Sequence, residues 1–122
     1  MIQTANGLVL DLSQGEQGGK LVVFTKHGGD NQLWRIEDGK LISKSGFAAD
    51  IKEGSKDIGA SVIGWEMHDR ENQKWKIKGN CIHSKQTDMV MDLKEGKMEE
   101  GTEVIMFPRH GGPNQMWFIY PA

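Results

Sequence analysis

An all-β fold is what three features of the sequence predict. Sixteen glycines stand against three prolines in 122 residues, a supply of tight turns that suits many short strands. No window carries a sustained helical period with caps at its ends; short alternating runs take its place. The runs also recur, and a repeat of this length decides architecture before any single element does.

The elements follow in the same order three times. Each unit has an Asp between apolar neighbours: Leu10-Asp11-Leu12, Ala49-Asp50-Ile51 and Met91-Asp92-Leu93. At strand period 2 the flanking apolar residues point inward and the Asp points outward. Glycines at Gly15, Gly54 and Gly96, then at Gly18, Gly59 and Gly101, supply turns. Short strands come next, Leu21-Val22-Val23, Val62-Ile63 and Val104-Ile105-Met106. Each unit closes on Gln-x-Trp-x-Ile, at Gln32 to Ile36, Gln73 to Ile77 and Gln115 to Ile119, and an Asn precedes each Gln. Trp34 to Trp75 is 41 residues and Trp75 to Trp117 is 42, so three equal units fill the chain.

Three copies of about four short strands cannot close a propeller, which takes at least four blades. They suit a closed six-stranded barrel capped by three hairpins, a β-trefoil, which removes sheet edges by closure. The expectation is one β-trefoil domain over residues 1–122, with repeats of about 1–39, 40–79 and 80–122. Trp34, Trp75 and Trp117, with Ile36, Ile77 and Ile119, are expected to fill a threefold core. Each buried large side chain is worth roughly 1.5–3 kcal/mol. Gln32, Gln73 and Gln115 read as internal hydrogen-bonding struts in support of the site rather than ligand contacts.

Composition narrows the classes. Fifteen Lys and Arg against 17 Asp and Glu leave a formal charge of -2, without the basic excess of a nucleic-acid binder. One cysteine, Cys81, makes neither an intramolecular disulfide nor a thiolate zinc site, and its neighbour Ile82 marks it as a strand residue. No apolar run approaches the ~20 residues of a membrane helix, so membrane insertion is not expected. Met1 leads straight into domain-like sequence, so the expected location is cytoplasmic, or outside after release without a classical signal peptide.

The triplicate Gln-x-Trp pattern resembles the ricin-type (R-type) lectin family over the whole chain. The segment from His110 to Gln115 is similar to invertebrate galactose-binding members of it, earthworm lectins among them. The resemblance implies a β-trefoil and calcium-independent recognition of galactose or N-acetylgalactosamine, on glycoproteins or glycolipids.

Whether each unit keeps a site is read residue by residue. Seven positions before each Asn stands an aromatic, Phe24, Trp65 or Phe107; four positions before it stands His27, His68 or His110. With Asn31, Asn72, Asn114 and Asp11, Asp50, Asp92 they make a four-residue set, in register three times. The carboxylate can accept from two vicinal hydroxyls, and the Asn amide can donate to one of the same oxygens. The aromatic packs on the C–H face that an axial 4-hydroxyl leaves open, and the His bonds a hydroxyl at the rim or packs beside the ring. Unit 1 has 13 residues from Asp11 to Phe24 where the others have 15, a difference that could tilt or narrow its site. Unit 2 carries Asp69-Arg70-Glu71 where the others have Gly-Gly, which bears on its preference.

Other classes fit less well. No unit sets a Ser or Cys nucleophile in register beside its His, so the chain is not expected to be an enzyme. One carboxylate per unit is too few for calcium, and zinc would need about three converging ligands, so no metal or cofactor is expected. A signalling or interaction trefoil would not need the set in all three units. A carbohydrate-binding module from a larger enzyme or toxin is the other alternative; a Met start and a last strand at the end favour a free-standing agglutinin, monomer or homodimer. The run Lys74-x-Lys76-x-Lys78 reads as a solvated strand face, and the seven methionines as packing.

Overall fold

The computed structural model describes residues 1–121 and contains twelve short strands, with no α-helix among the described residues. In chain order they are β1 Ile2–Gln3, β2 Val9–Leu12, β3 Leu21–Phe24, β4 Trp34–Glu37, β5 Lys40–Ser43 and β6 Ala48–Ile51. The rest are β7 Val62–Trp65, β8 Trp75–Lys78, β9 Cys81–Ser84, β10 Val90–Leu93, β11 Val104–Phe107 and β12 Phe118–Ile119. Three four-stranded sheets result, ordered β12-β1-β2-β3, β4-β5-β6-β7 and β8-β9-β10-β11. The strands that open the units, β1, β5 and β9, are the ones for which the sequence offers no shared motif.

Bridges Lys20–Ile63, Ser61–Ile105 and Val22–Glu103 join β3, β7 and β11 to one another in a ring. The chain's two ends complete the third hairpin, because β1 pairs with β12 at Ile2–Ile119 and Gln3–Phe118. Met1 N donates to the Tyr120 carbonyl at 2.7 Å, and Tyr120 N returns a bond to the Met1 carbonyl at 2.8 Å. This is a β-trefoil.

The Asp-bearing strands β2, β6 and β10 are buried at all four positions, so they line the centre. Leu10, Leu12, Leu21, Val23, Leu41, Ile51, Val62, Ile82, Met91, Leu93, Val104 and Met106 form the core with the three tryptophans. The threefold is not exact inside it. Where units 1 and 3 place Val23 and Met106, unit 2 has Gly64, and a Cβ there would stand 2.6 Å from Leu12 Cδ1. Leu12 fills the space that the glycine leaves.

Two expectations are corrected. Ile36, Ile77 and Ile119 are not core: they are 49%, 38% and 41% exposed, while Trp34, Trp75 and Trp117 are buried. The reason is the length of the hairpin arms. In β4 and β8 the Trp enters the core and the following three residues run out into solvent. The central volume goes instead to aliphatic residues of the buried strands. The aspartates point away from the core but not into open solvent, being buried at 5%, 3% and 3% exposure. Side chains of the next segment close over them. Cys81 is buried in β9, and Lys76 and Lys78 are exposed on β8, as the sequence implies.

Candidate functional site

Each unit builds the same small apparatus around its Asp. The glutamine of Gln-x-Trp is fully buried and uses every polar atom it has. Gln32 Nε2 donates to Asp11 Oδ2 at 2.9 Å and to the Thr25 carbonyl at 3.0 Å. Its Oε1 accepts from His27 N at 2.8 Å and Gly28 N at 3.1 Å. Gln73 and Gln115 repeat the bonds to Asp50 and Asp92, at 2.9 and 2.8 Å. The strut therefore ties the carboxylate to the loop that carries the histidine.

The tryptophan two residues on also serves the Asp, through a bond that apolar periodicity does not reveal. Trp34, Trp75 and Trp117 each donate their indole N–H to the carbonyl just before the Asp, on Leu10, Ala49 and Met91, at 3.0–3.1 Å. Asn31 and Asn72 donate to the carbonyl just after it, at 3.1 Å in both units, and Asn114 does so at 3.3 Å. The Asp is thus fixed on both sides of its backbone as well as at its carboxylate.

The asparagines do less at the open side than their type implies. Asn31 Nδ2 reaches Asp11 Oδ1 at 3.0 Å and Asn72 Nδ2 reaches Asp50 Oδ1 at 3.2 Å, so both amide hydrogens are committed within the protein. What they leave for a ligand is Oδ1, an acceptor.

The histidines have a defined tautomer. Their Nδ1 accepts a backbone N–H from Gly29, Arg70 or Gly112 at 2.9–3.0 Å, which puts the ring proton on Nε2 in the neutral form. That Nε2–H faces Asp Oδ2 from 3.8 Å in unit 1, 3.4 Å in unit 2 and 3.6 Å in unit 3. These separations are too long for a good hydrogen bond and leave both groups with capacity to spare. A carboxylate has about four acceptor directions, of which the Gln and Asn take at most two. An acceptor and a donor side by side match a hydroxyl, which is both.

Burial pushes the Asp50 and Asp92 carboxyls above the ordinary aspartate range; bonds from Gln73 and Gln115, then the nearby histidines, offset part of that. Two residues past the cross-strand partner of each Asp stands an aromatic that the core does not claim, Phe24, Trp65 or Phe107, at 37–40% exposure. Phe107 and His110 stand edge to face with centroids 6.2 Å apart. All twelve residues singled out from the sequence are thereby gathered into three groups of four.

Unit 2 differs in ways the four-residue set does not capture. A Cβ at Gly29 or Gly112 would meet the neighbouring histidine ring at 2.7 or 2.6 Å, yet Arg70 carries one. Correspondingly, His68 sits nearer its Asp and is less exposed than its two counterparts. Gly28 and Gly111 take φ of 79° and 81°, whereas Asp69 is not among the positive-φ residues. The Asp69 N–H accordingly makes no bond to Gln73 Oε1 like those Gly28 and Gly111 give. A cleft of about 740 Å³ opens over this unit, lined by Asp50, Trp65, His68 and Asn72. Lys52, Glu53, Glu66, Arg70 and Gln86 line it too, and only the unusual Asp69-Arg70-Glu71 stretch hinted at them in the sequence.

A threefold β-trefoil with a buried carboxylate, an imidazole N–H and an open aromatic in each unit defines a class of small polyhydroxyl-binding proteins. The chain belongs to the ricin-type β-trefoil lectin domain family, whose model matches residues 1–117. It is similar to ThreeFoil, a designed threefold-symmetric protein, at 27% identity and a TM-score of 0.86, covering 95% of this chain and 93% of that one. It is also similar to the C-half of an earthworm R-type lectin in complex with GalNAc, at 26% identity and a TM-score of 0.77, covering 96% and 93%. An agglutinin of Rhizoctonia solani aligns at 28% identity and a TM-score of 0.82, covering 95% and 89%. No curated protein matches the sequence. Family and neighbours together make this a carbohydrate-binding domain and point away from catalysis.

Proposed function

We propose that the chain is a lectin for galactose and N-acetylgalactosamine ends of glycans on glycoproteins or glycolipids, with up to three sites and no need of calcium. The observation that carries this reading is the pairing of Asp Oδ2 with a histidine Nε2–H, with an exposed aromatic on the strand beside the Asp, three times over. The earthworm lectin half, whose structure holds GalNAc, supports the choice of sugar.

In this reading the 3- and 4-hydroxyls donate to Asp11, Asp50 or Asp92, and one of them accepts from the histidine. The axial 4-hydroxyl leaves the opposite sugar face as a continuous C–H surface, which lies on Phe24, Trp65 or Phe107. Asn31 and Asn72 hold the carboxylate and present Oδ1 at the edge, while Asn114 keeps an amide hydrogen free for a hydroxyl. Gln32, Gln73 and Gln115 support from below. An equatorial 4-hydroxyl turns away from the carboxylate and leaves an acceptor unpaired, at about 1–3 kcal/mol. With one carboxylate per site, a calcium ion would lack most of the 6–8 oxygens it takes.

Competition on a galactose resin tests it. Galactose and N-acetylgalactosamine should elute the protein at concentrations at which glucose and mannose do not, and a chelator should leave it bound. Equal elution by glucose, or release by the chelator, contradicts the reading.

A further inference from the structure

The three sites differ in what surrounds them, and the difference is concentrated at unit 2. Asp69-Arg70-Glu71 carries three charges where unit 1 has one, in Gly28-Gly29-Asp30, and unit 3 has none, in Gly111-Gly112-Pro113. Both carboxylates of this stretch are answered outside the cleft: Lys40 Nζ stands 3.4 Å from Asp69 Oδ1, and Lys74 Nζ stands 3.2 Å from Glu71 Oε1. The Arg70 guanidinium is left over and lines the cleft. Lys52, Glu53 and Glu66 line it as well, and among the described residues none of these four joins an ion pair. At the matching positions unit 1 has Ser13, Gln14, Thr25 and Gly29, and unit 3 has Lys94, Glu95, Pro108 and Gly112. Only unit 2 has all four charged.

The cleft is also assembled from more than its own unit. Gly18 of the preceding unit lies against Trp65, where a Cβ would be 3.9 Å from Cζ3. Gln86 of the following unit donates to the Gly54 carbonyl at 2.9 Å and the Ser55 carbonyl at 3.3 Å, which fixes the far wall. A volume of about 740 Å³ is in the range of sites for drug-sized ligands and well beyond one pyranose ring.

We infer that the unit 2 cleft is an extended subsite for a neutral disaccharide or longer glycan, its second sugar ring held by Arg70, Lys52, Glu53 and Glu66. This rests on the galactose reading, since the terminal ring occupies the Asp50–Trp65–His68 group. Two cations and two carboxylates cancel in charge, so the rim does not select an ionic group. It does offer donors and acceptors on charged side chains, which make the stronger bonds to hydroxyls. Unit 1 lacks this rim and unit 3 keeps only its Lys94–Glu95 half, without an Arg70 or Glu66 counterpart, so both take the terminal ring alone.

Trp65 gives a site-resolved probe, since Trp34, Trp75 and Trp117 are buried and Trp65 is open. The indole N–H resonance of Trp65 is followed while the full chain is titrated with galactose, lactose and lactose sulfated at O6 of its glucose ring. The expected result is lactose binding about tenfold tighter than galactose at Trp65, with sulfation adding nothing. Phe24 and Phe107 ring resonances should report equal affinities for galactose and lactose. Arg70→Ala, which keeps the Cβ beside His68, should erase most of the lactose advantage while galactose affinity stays, and Lys52→Ser should lower it in part. Equal affinities at Trp65 overturn the extended subsite and leave the galactose reading standing. So does proportional loss of both sugars in R70A, or a clear preference for the sulfated sugar. If Trp65 alone responds to no sugar, the subsite falls; if Phe24, Trp65 and Phe107 are all silent while the chain stays folded, the galactose reading falls with it.

Discussion

A fully buried glutamine with three or four satisfied bonds leaves several partners stranded when it is removed. In Gln73→Ala the Asp50 carboxylate, the Glu66 carbonyl and the His68 N–H each lose a bond. With each unsatisfied buried group worth about 1–3 kcal/mol, the variant should lose at least about 2 kcal/mol of stability, read as a shift in the urea midpoint. Its unit 2 sugar site should go with it, because Asp50 and His68 are no longer held together. The aspartates carry a pH prediction of their own. Burial raises Asp50 and Asp92, so the folded chain holds these protons more readily than the unfolded chain does. Their contribution to stability is then fully present below the unfolded pKa and lost as pH rises through the folded one. Sugar binding runs the other way, because only the ionised carboxylate accepts from two hydroxyls. Affinity at units 2 and 3 should therefore begin to fall, on acidification, above the ordinary aspartate range and before the fold is lost. Calorimetric titrations across that range, paired with circular dichroism, check it; affinity that stays flat until unfolding contradicts it. The pairing of Asp, aromatic, His and Asn was legible because register alone exposes it. The commitment of the Asn amide to the protein was not, since a residue type says what it can bond and not what it has already bonded.

At the scale of elements, the hairpins separate what periodicity can tell from what it cannot. The alternation in Trp-x-Ile assigns both residues to one face, as the strand geometry of β4 and β8 does; in unit 3 Trp117 stands just before β12. Period 2 does not say where along the strand the neighbouring sheet ends, and here it ends after the Trp. Ile36, Ile77 and Ile119 are left 38–49% exposed. Ile36→Thr or Ile77→Thr should therefore cost under about 1 kcal/mol, whereas Ile82→Ala in the sealed part of β9 should cost about 2–5 kcal/mol. Urea midpoints for the two kinds of variant would read alike if the isoleucines were core. The unit-opening strands β5 and β9 were hard to find for a related reason. Their burial comes from pairing with β4 and β8 of the preceding unit, as in Trp34–Ser43 and Trp75–Ser84, and no motif inside the unit records that partner. The Asp strands were easy, because a polar residue between two apolar ones in a fully buried strand needs a dedicated partner, and the Gln is that partner, 21 residues on in unit 1 and 23 in units 2 and 3.

For the whole molecule, the proposed lectin function predicts that the threefold arrangement turns weak sites into a crosslinking device. A compact chain of 122 residues has a radius of gyration of about 14 Å, which puts peripheral threefold-related sites about 25 Å apart. That span exceeds one short glycan and suits neighbouring glycans on a surface. Shallow sites bind a monosaccharide only at about the micromolar-to-millimolar level, and linkage can raise the overall strength by about 10²–10⁴ without a new contact. The aspartates are a poor place to test this, because Ala there strands bonds from Gln and often Asn and weakens the fold. The aromatics are a better one, for Phe24, Trp65 and Phe107 stand open and anchor no hydrogen bond of the fold. Changing one of them to Ala should lower galactose stoichiometry from three to two while the remaining sites keep their affinity. Agglutination of galactose-coated beads should fall more steeply than that one-third loss, since each crosslink needs two sites at once. The triple change should abolish both and leave the urea midpoint within about 1 kcal/mol of the parent. Titration calorimetry beside the bead assay decides the matter: a parent stoichiometry of one would make two of the three sites remnants of the repeat, and agglutination that merely tracks site number would remove avidity from the mechanism.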